Sequence, residues 1–202
     1  MKKKNIIGLV LIALVSFIPQ LSIQAQQINK EFKVSQFHNL DLTTVGNVYF
    51  TQDKKCSVMI EGKKENVDLY NIHVENNTLC IEPKDEVNAN NNKVSIYITA
   101  PLLKELEFCG VGKLYCNEAL KLDDFKCTLQ GVGKMYIRNL TCKKLEAEIE
   151  GIGKAEIHVK CKELKAEVDG IGSLTLSGTT DKAEIERGGI GIIDTDDLKV
   201  GK

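Results

Sequence analysis

From residue 105 onward, apolar and polar positions alternate with a period of two over short runs, and a glycine triplet interrupts the alternation at near-constant intervals. Leu106 and Phe108 lead into Gly110-Val111-Gly112, and Leu114 and Cys116 follow it. The pattern recurs around Gly131-Val132-Gly133, Gly151-Ile152-Gly153, Gly170-Ile171-Gly172 and Gly189-Ile190-Gly191, at spacings of 21, 20, 19 and 19 residues. The position four before each first glycine holds Leu106, Cys127, Ala147, Ala166 and Ile185, and the position two before holds Phe108, Leu129, Ile149, Val168 and Arg187. Behind the triplets, Leu114, Met135, Ala155, Leu174 and Ile193 form one apolar column, and Cys116, Ile137, Ile157 and Leu176 form another. Alternation on both sides of a triplet predicts strands with one buried face. Each glycine pair then marks a corner, where a missing Cβ permits positive φ or a close approach of two backbones. Five such copies indicate a unit that stacks on itself. They are not nucleotide loops, because the third glycine of that motif and its helix are missing.

Two all-β architectures satisfy this arithmetic. In a parallel β-solenoid each repeat is one coil and equivalent residues stack about 4.8 Å apart. In an antiparallel hairpin meander the triplet is a tight turn, and Glu150 sits opposite Lys154. The parity of the buried positions fits both.

Ahead of the repeats the pattern is less regular. Strands are expected over 32–37, 47–52, 57–61, 72–75, 78–82 and 93–99, from their Val, Ile, Tyr and Phe content. Asn76-Asn77 reads as a hairpin turn, residues 65–70 as a helical turn and 85–92 as an Asn-rich polar loop. No Pro, Gly or Ser linker separates this part from the repeats. Residues 26–202 therefore read as a single solenoid domain, with 26–100 forming N-terminal coils and a cap and 101–202 the regular repeats. Before it, Lys2, Lys3 and Lys4 precede an apolar run from Ile6 to Ile18, and Ala25 stands where a peptidase would cut. Residues 1–25 are thus expected to be a cleaved signal peptide, the run being shorter than the ~20 residues a span requires. The expected location is the periplasm, the outer-membrane surface or the exterior, with no transmembrane segment after cleavage.

Composition narrows the function classes. Of 202 residues, 27 are Lys or Arg and 28 are Asp or Glu, and removal of the three leader lysines takes the formal charge from −1 to −4. With no Trp and 5% aromatics, the chain has neither the basic field nor the stacking rings of a nucleic-acid binder. Seven cysteines at an odd count, without any C-x-x-C, give poor support for a metal site and read as small core residues. Cys142 and Cys161 fall one coil apart, within disulfide reach, although parallel Cβ vectors disfavour the bond. Stacking also places Glu107, Thr128, Glu148, Glu167 and Glu186 in one outward column and Glu105, Lys126, Glu146, Lys165 and Glu184 in the next. Glu148, Glu150, Glu167 and Asp169 offer oxygen ligands for calcium, without a known calcium-loop spacing. Lys113, Lys134 and Lys154 form a basic column that could meet an anionic glycan. His38, His73 and His158 are isolated, and no nucleophile elbow occurs, so neither a catalytic set nor a cofactor is expected.

The order of several segments resembles one known family. Phe32-Lys33-Val34, the run Val45 to Phe50, Leu79-Cys80-Ile81-Glu82, the run Val94 to Leu102 and then the glycine-spaced repeats are similar to the putative auto-transporter adhesin, head GIN domain family of exported bacterial proteins. Members usually carry Ser-Gly-Ser-Gly-like triplets, so the corners of this chain are more apolar. The resemblance implies a right-handed parallel β-helix and an adhesin-like role, the latter at the level of fold analogy. The expected function is a non-catalytic interaction module binding a protein or glycan at the cell envelope. Its rivals are a polysaccharide-cleaving β-helix enzyme using clustered carboxylates, disfavoured because no Arg or aromatic platform adjoins the acidic column, and a structural protein self-associating through Ile190, Ile192 and Ile193 of the C-terminal coil.

Overall fold

The computed structural model describes residues 26–84 and 93–201. The expected leader at 1–25 and polar loop at 85–92 lie outside the described residues. The chain is nearly all β and forms a parallel solenoid of about five turns.

The N-terminal part comprises β1 (Gln27–Phe32), β2 (Asn39–Leu42), β3 (Val45–Gln52), β4 (Ser57–Lys63), the short helix α1 (Lys64–Val67), β5 (Tyr70–Glu75), β6 (Thr78–Pro83) and β7 (Val94–Ala100). The repeats contribute β8 (Glu105–Phe108), β9 (Val111–Cys116), β10 (Leu120–Lys121), β11 (Asp124–Leu129), β12 (Val132–Thr141), β13 (Lys144–Ile149), β14 (Ile152–Val168), β15 (Ser173–Arg187) and β16 (Ile192–Val200). Two long walls result. The wall that precedes the triplets is built from β6, β2, β8, β11, β13 and the C-terminal parts of β14 and β15, all parallel neighbours. The wall that follows them is β7, β3, β9, β12, the N-terminal parts of β14 and β15, and β16.

The register confirms vertical stacking of the repeat positions. Leu79, Leu40, Leu106, Cys127, Ala147, Ala166 and Ile185 stand in one line across the first wall. All but Ile185 are buried; Ile185 is 41% exposed, a correction to its place among the core positions, because β15 has no neighbour on its far side here among the described residues. On the second wall Ile96, Val48, Leu114, Met135, Ala155 and Leu174 stack in the same way, each fully or nearly fully buried. Burying a Leu, Ile or Phe side chain contributes about 1.5–3 kcal/mol, so these ladders supply most of what holds the coils together. The hairpin meander is excluded: Lys154 lies beside Lys134 and Ser173 on parallel strands, and its carboxylate partner is Glu156, at 2.8 Å, not Glu150.

Order along the stack is not order along the chain. β2 and β3 form one coil, after which the chain travels outward to lay β6 and β7 on its far side and then crosses back to β8 and β9. The outer side of β7 is closed by β4, which pairs with it antiparallel, and β4 in turn pairs with β1; β5 pairs antiparallel with β6. Antiparallel strands thus terminate the parallel ladder and cover an edge that would otherwise be open. The β5–β6 turn is Asn76-Asn77, with φ of 49° and 62°, the left-handed pair a two-residue hairpin demands. One expected strand is displaced. Pairing with β4 sets β1 at Gln27–Phe32, so residues 33–37 leave the sheet and deliver Phe37 fully buried into the core. The strand Asn39–Leu42 was not expected at all.

Candidate functional site

The triplet corners stack as a column along one edge of the solenoid. Gly46, Gly112 and Gly133 are in register, as are Gly133 and Gly153, so the sequence Val45-Gly46 is an earlier copy of the corner that lacks the first glycine. Close approach is the rule here. A Cβ built on Gly133 would lie 2.7 Å from the Gly112 carbonyl oxygen, and one on Gly153 would lie 2.6 Å from that of Gly133. On Gly131 it would collide with the Gly110 carbonyl. Of the repeat glycines only Gly112, at φ 151°, adopts the positive region. Backbone packing between coils therefore accounts for both glycine columns.

The middle residue of each triplet points outward. Val111, Val132, Ile152 and Ile171 are 43%, 57%, 57% and 59% exposed. They line a 1170 Å³ groove together with the corner glycines, with Lys113, Lys134 and Lys154 two residues further along the same strands, and with residues of β1, β3, β4, α1 and β7, Glu61 among them. The three lysines are in register, with Asn47 continuing their row. Lys154 is ion-paired to Glu156, which raises its pKa, whereas Lys113 and Lys134 have no ion pair among the described residues.

Beyond the lysines runs a feature the sequence reading missed. Tyr97, Tyr49, Tyr115 and Tyr136 form a ladder with ring centroids 5.0, 5.2 and 5.3 Å apart and interplanar angles of 12–13°. Three of them could have been found by aligning residues on the triplet, since Tyr49, Tyr115 and Tyr136 all follow the corner glycine by three residues. Tyr97 needed the parallel pairing of β7 with β3. Ring faces cover one another in such a stack, so the ladder presents edges outward and stabilises the wall. It is not an open platform for a sugar.

On the other wall the two outward columns are aligned as expected. Lys126 reaches Glu146 at 3.5 Å and Glu148 at 2.8 Å, and Thr128 donates to Glu148 at 3.4 Å. Burial alone would raise the Glu146 carboxyl, but Lys126 outweighs it and the pKa is lowered. Glu148, Glu150, Glu167 and Asp169 do gather around a hollow of 80 Å³. Among the described residues, however, no three His, Cys, Asp or Glu side chains are placed to hold a metal ion.

Cys142 and Cys161 are buried free thiols. They share a hydrogen bond, which holds Cys142 protonated and lowers Cys161; Thr180, 3.4 Å from the Cys161 sulfur, supports the same direction. Burial pushes the Cys116 thiol up to about 12, and burial together with Glu107 does the same at Cys109, so neither is a ready nucleophile. His158 hydrogen-bonds Ser177, at 2.9 Å, and His73 hydrogen-bonds Asn71, at 3.5 Å.

Known structures share this architecture. A putative adhesin from Bacteroides fragilis is 25% identical, with a TM-score of 0.58 over 85% of this chain and 97% of that one. A putative adhesin from Parabacteroides distasonis (17% identity, TM-score 0.77, 87% and 76% coverage) and a putative lipid binding protein from the same organism (23%, 0.78, 86% and 75%) have the same fold. None of the curated proteins matches the sequence. Residues 36–202, which hold every coil and the whole corner column, match a single family model, and the chain belongs to the family described as putative auto-transporter adhesin, head GIN domain.

Proposed function

We propose that the chain is an exported, non-catalytic interaction module of the cell envelope that engages its ligand along the triplet corner. The observation that carries this reading is the groove itself, where an exposed aliphatic row runs beside Lys113 and Lys134, which have no ion pair among the described residues. Family membership supports an adhesin-like role, and the basic-then-apolar leader at 1–25 supports export and a single solenoid domain from residue 26. The acidic wall argues against glycoside cleavage, because Lys126 lowers the pKa of Glu146 at its centre, whereas a general acid needs a raised pKa. The test is retention of the mature protein on immobilised envelope fractions, with assay of the flow-through for new reducing ends. Retention without turnover is expected; release of reducing ends would overturn the reading in favour of an enzyme.

Ile190 and Ile192, 84% and 63% exposed near β16, favour self-association as a second reading. Light scattering across a concentration series decides it: a mass that stays at one chain removes it.

A further inference from the structure

The residue between the two glycines is the one corner position that the fold leaves free. Its neighbours are confined by carbonyl oxygens of the preceding coil, but the middle side chain projects into solvent, where a serine or lysine would satisfy the backbone equally well. Yet the five copies are Val, Val, Ile, Ile and Ile, in a chain whose residues are 27% charged. Contiguous exposed apolar rows of this kind mark binding surfaces. At about 4.8 Å per coil, the four from Val111 to Ile171 make a straight track of about 14 Å.

The geometry narrows the occupant. The strands that carry the aliphatic row and the lysines, β9, β12 and β14, are paired on both sides within the sheet and offer no open edge to an added peptide strand; the edge strand β1 reaches the groove only through Gln27. The nearby tyrosines cover one another's faces along the ladder, so only the end rings Tyr97 and Tyr136 have a face without a ring partner, and the row offers no run of open faces to a sugar or base chain. What remains is a linear apolar track beside a lysine row: Lys113 and Lys134 carry no ion pair among the described residues, and Glu61, the carboxylate in the lining, accepts from Tyr97 at 3.2 Å, while on the other wall Lys126 and Lys165 face carboxylates. The polarity is also graded. Lysine follows Val111, Val132 and Ile152 by two residues, whereas Ser173, in register with Lys154, follows Ile171.

We infer that the groove binds one single-chain anionic amphiphile, with its acyl chain along Val111, Val132, Ile152 and Ile171 and its phosphate or carboxylate head over Lys113 and Lys134. This rests on the proposed interaction role and names the ligand class of the same site. The apolar track supplies the affinity, and the two ammonium groups select charge and direction.

Isothermal titration of the mature protein with dodecyl phosphate below its micellar concentration tests the inference, with dodecyl maltoside as the neutral-headed control and phosphatidylglycerol vesicles as the bilayer control. One saturable site per chain is expected. The double variant Val132→Ser/Ile152→Ser should weaken it by about tenfold or more, because two apolar contacts are lost. Lys113→Gln/Lys134→Gln should weaken dodecyl phosphate but leave dodecyl maltoside unchanged. Circular dichroism melts confirm that both variants fold. Absence of a saturable site, affinity unmoved by both variants, or binding to vesicles alone would overturn it. The envelope-retention assay separates the two levels: if the serine variant loses retention although dodecyl phosphate never binds, only the ligand class fails. If retention is also unchanged, the groove is not the site.

Discussion

The two sides of the solenoid solve the same stacking problem differently. On the wall before the triplets, like charges one coil apart are interleaved with lysines, so that Lys126 serves both Glu146 and Glu148 and Lys165 approaches Glu167. The corner beyond that wall shows no such settlement. Val111, Val132 and Ile152 stack on one another in solvent, and Lys113 stacks on Lys134 with no ion pair for either among the described residues. A surface that has answered its own electrostatics offers little to a partner; a row of exposed aliphatics beside uncompensated cations does. The contrast locates the candidate site at the corner, although both sides share one register and one core.

The largest effect that can sharpen this comparison comes from the corner backbone. Replacing Gly131 by Ala drives a Cβ into the Gly110 carbonyl, and the coil stack must part to relieve it. A loss of about 3–5 kcal/mol is expected, in the range of severe steric strain, which is a fall of about 10 °C in melting temperature for a domain this size. A melt within a degree or two of the parent would show that the corner is not locked, and the argument that the fold explains the glycines would fail.

Next is the tyrosine ladder. Tyr115 stacks on Tyr49 and Tyr136 at once, so Tyr115→Ser removes two ring pairs. At about 0.5–1.5 kcal/mol per pair the variant should lose about 1–3 kcal/mol. Chemical denaturation measures it, and an unchanged midpoint would mean that the rings do not support the wall.

A smaller effect distinguishes the acidic wall. Lys126 depresses the folded pKa of Glu146 below its ordinary 4.5, so the ion pair stabilises the fold above that pH and its contribution disappears as the pH falls through the folded value. Lys126→Met should therefore cost up to about 1 kcal/mol at pH 7, as a partly exposed pair does. The gap between the two melting curves should close at low pH, where the carboxylate is protonated in both. A gap that persists in acid would show that the lysine's contribution does not come from its pairing with the ionised carboxylate.

How far the sequence foretold this follows from what repeats and what does not. The columns through Leu106 and Leu114 were legible because a period of two and a spacing near 20 residues constrain each other, and only the choice between solenoid and meander was left open. That choice depends on whether the chain turns back or around at Gly-x-Gly, and local spacing is silent on it. The capped end was partly hidden for a different reason. Asn39–Leu42 is short, with no triplet of its own, and the detour that inserts β6 and β7 beyond it is recorded only in long-range pairing. At the site, Lys113, Lys134 and Lys154 were seen as a column, but the aliphatic residues were noted only as making the corners more apolar. Its exposure is a property of the coil cross-section, which no single repeat reveals.

The smallest expected effect bears most directly on that row. Val132 and Ile152 each sit one residue beyond a glycine whose Cβ would clash, yet they face solvent and are more than half exposed. If folding alone required them, Val132→Ser/Ile152→Ser would destabilise the protein, since it trades β-branched aliphatics in a strand for a poorer strand former. If they serve a ligand, the loss of exposed apolar surface should leave the unfolding free energy within about 0.5 kcal/mol of the parent, the usual range for surface changes away from a structural feature. The same double variant thus falls at opposite ends of two scales, near zero in stability and largest in binding. A substantial loss of stability would show that the aliphatic row holds the coils together, and the difference between the corner and the acidic wall would then be one of packing, not of function.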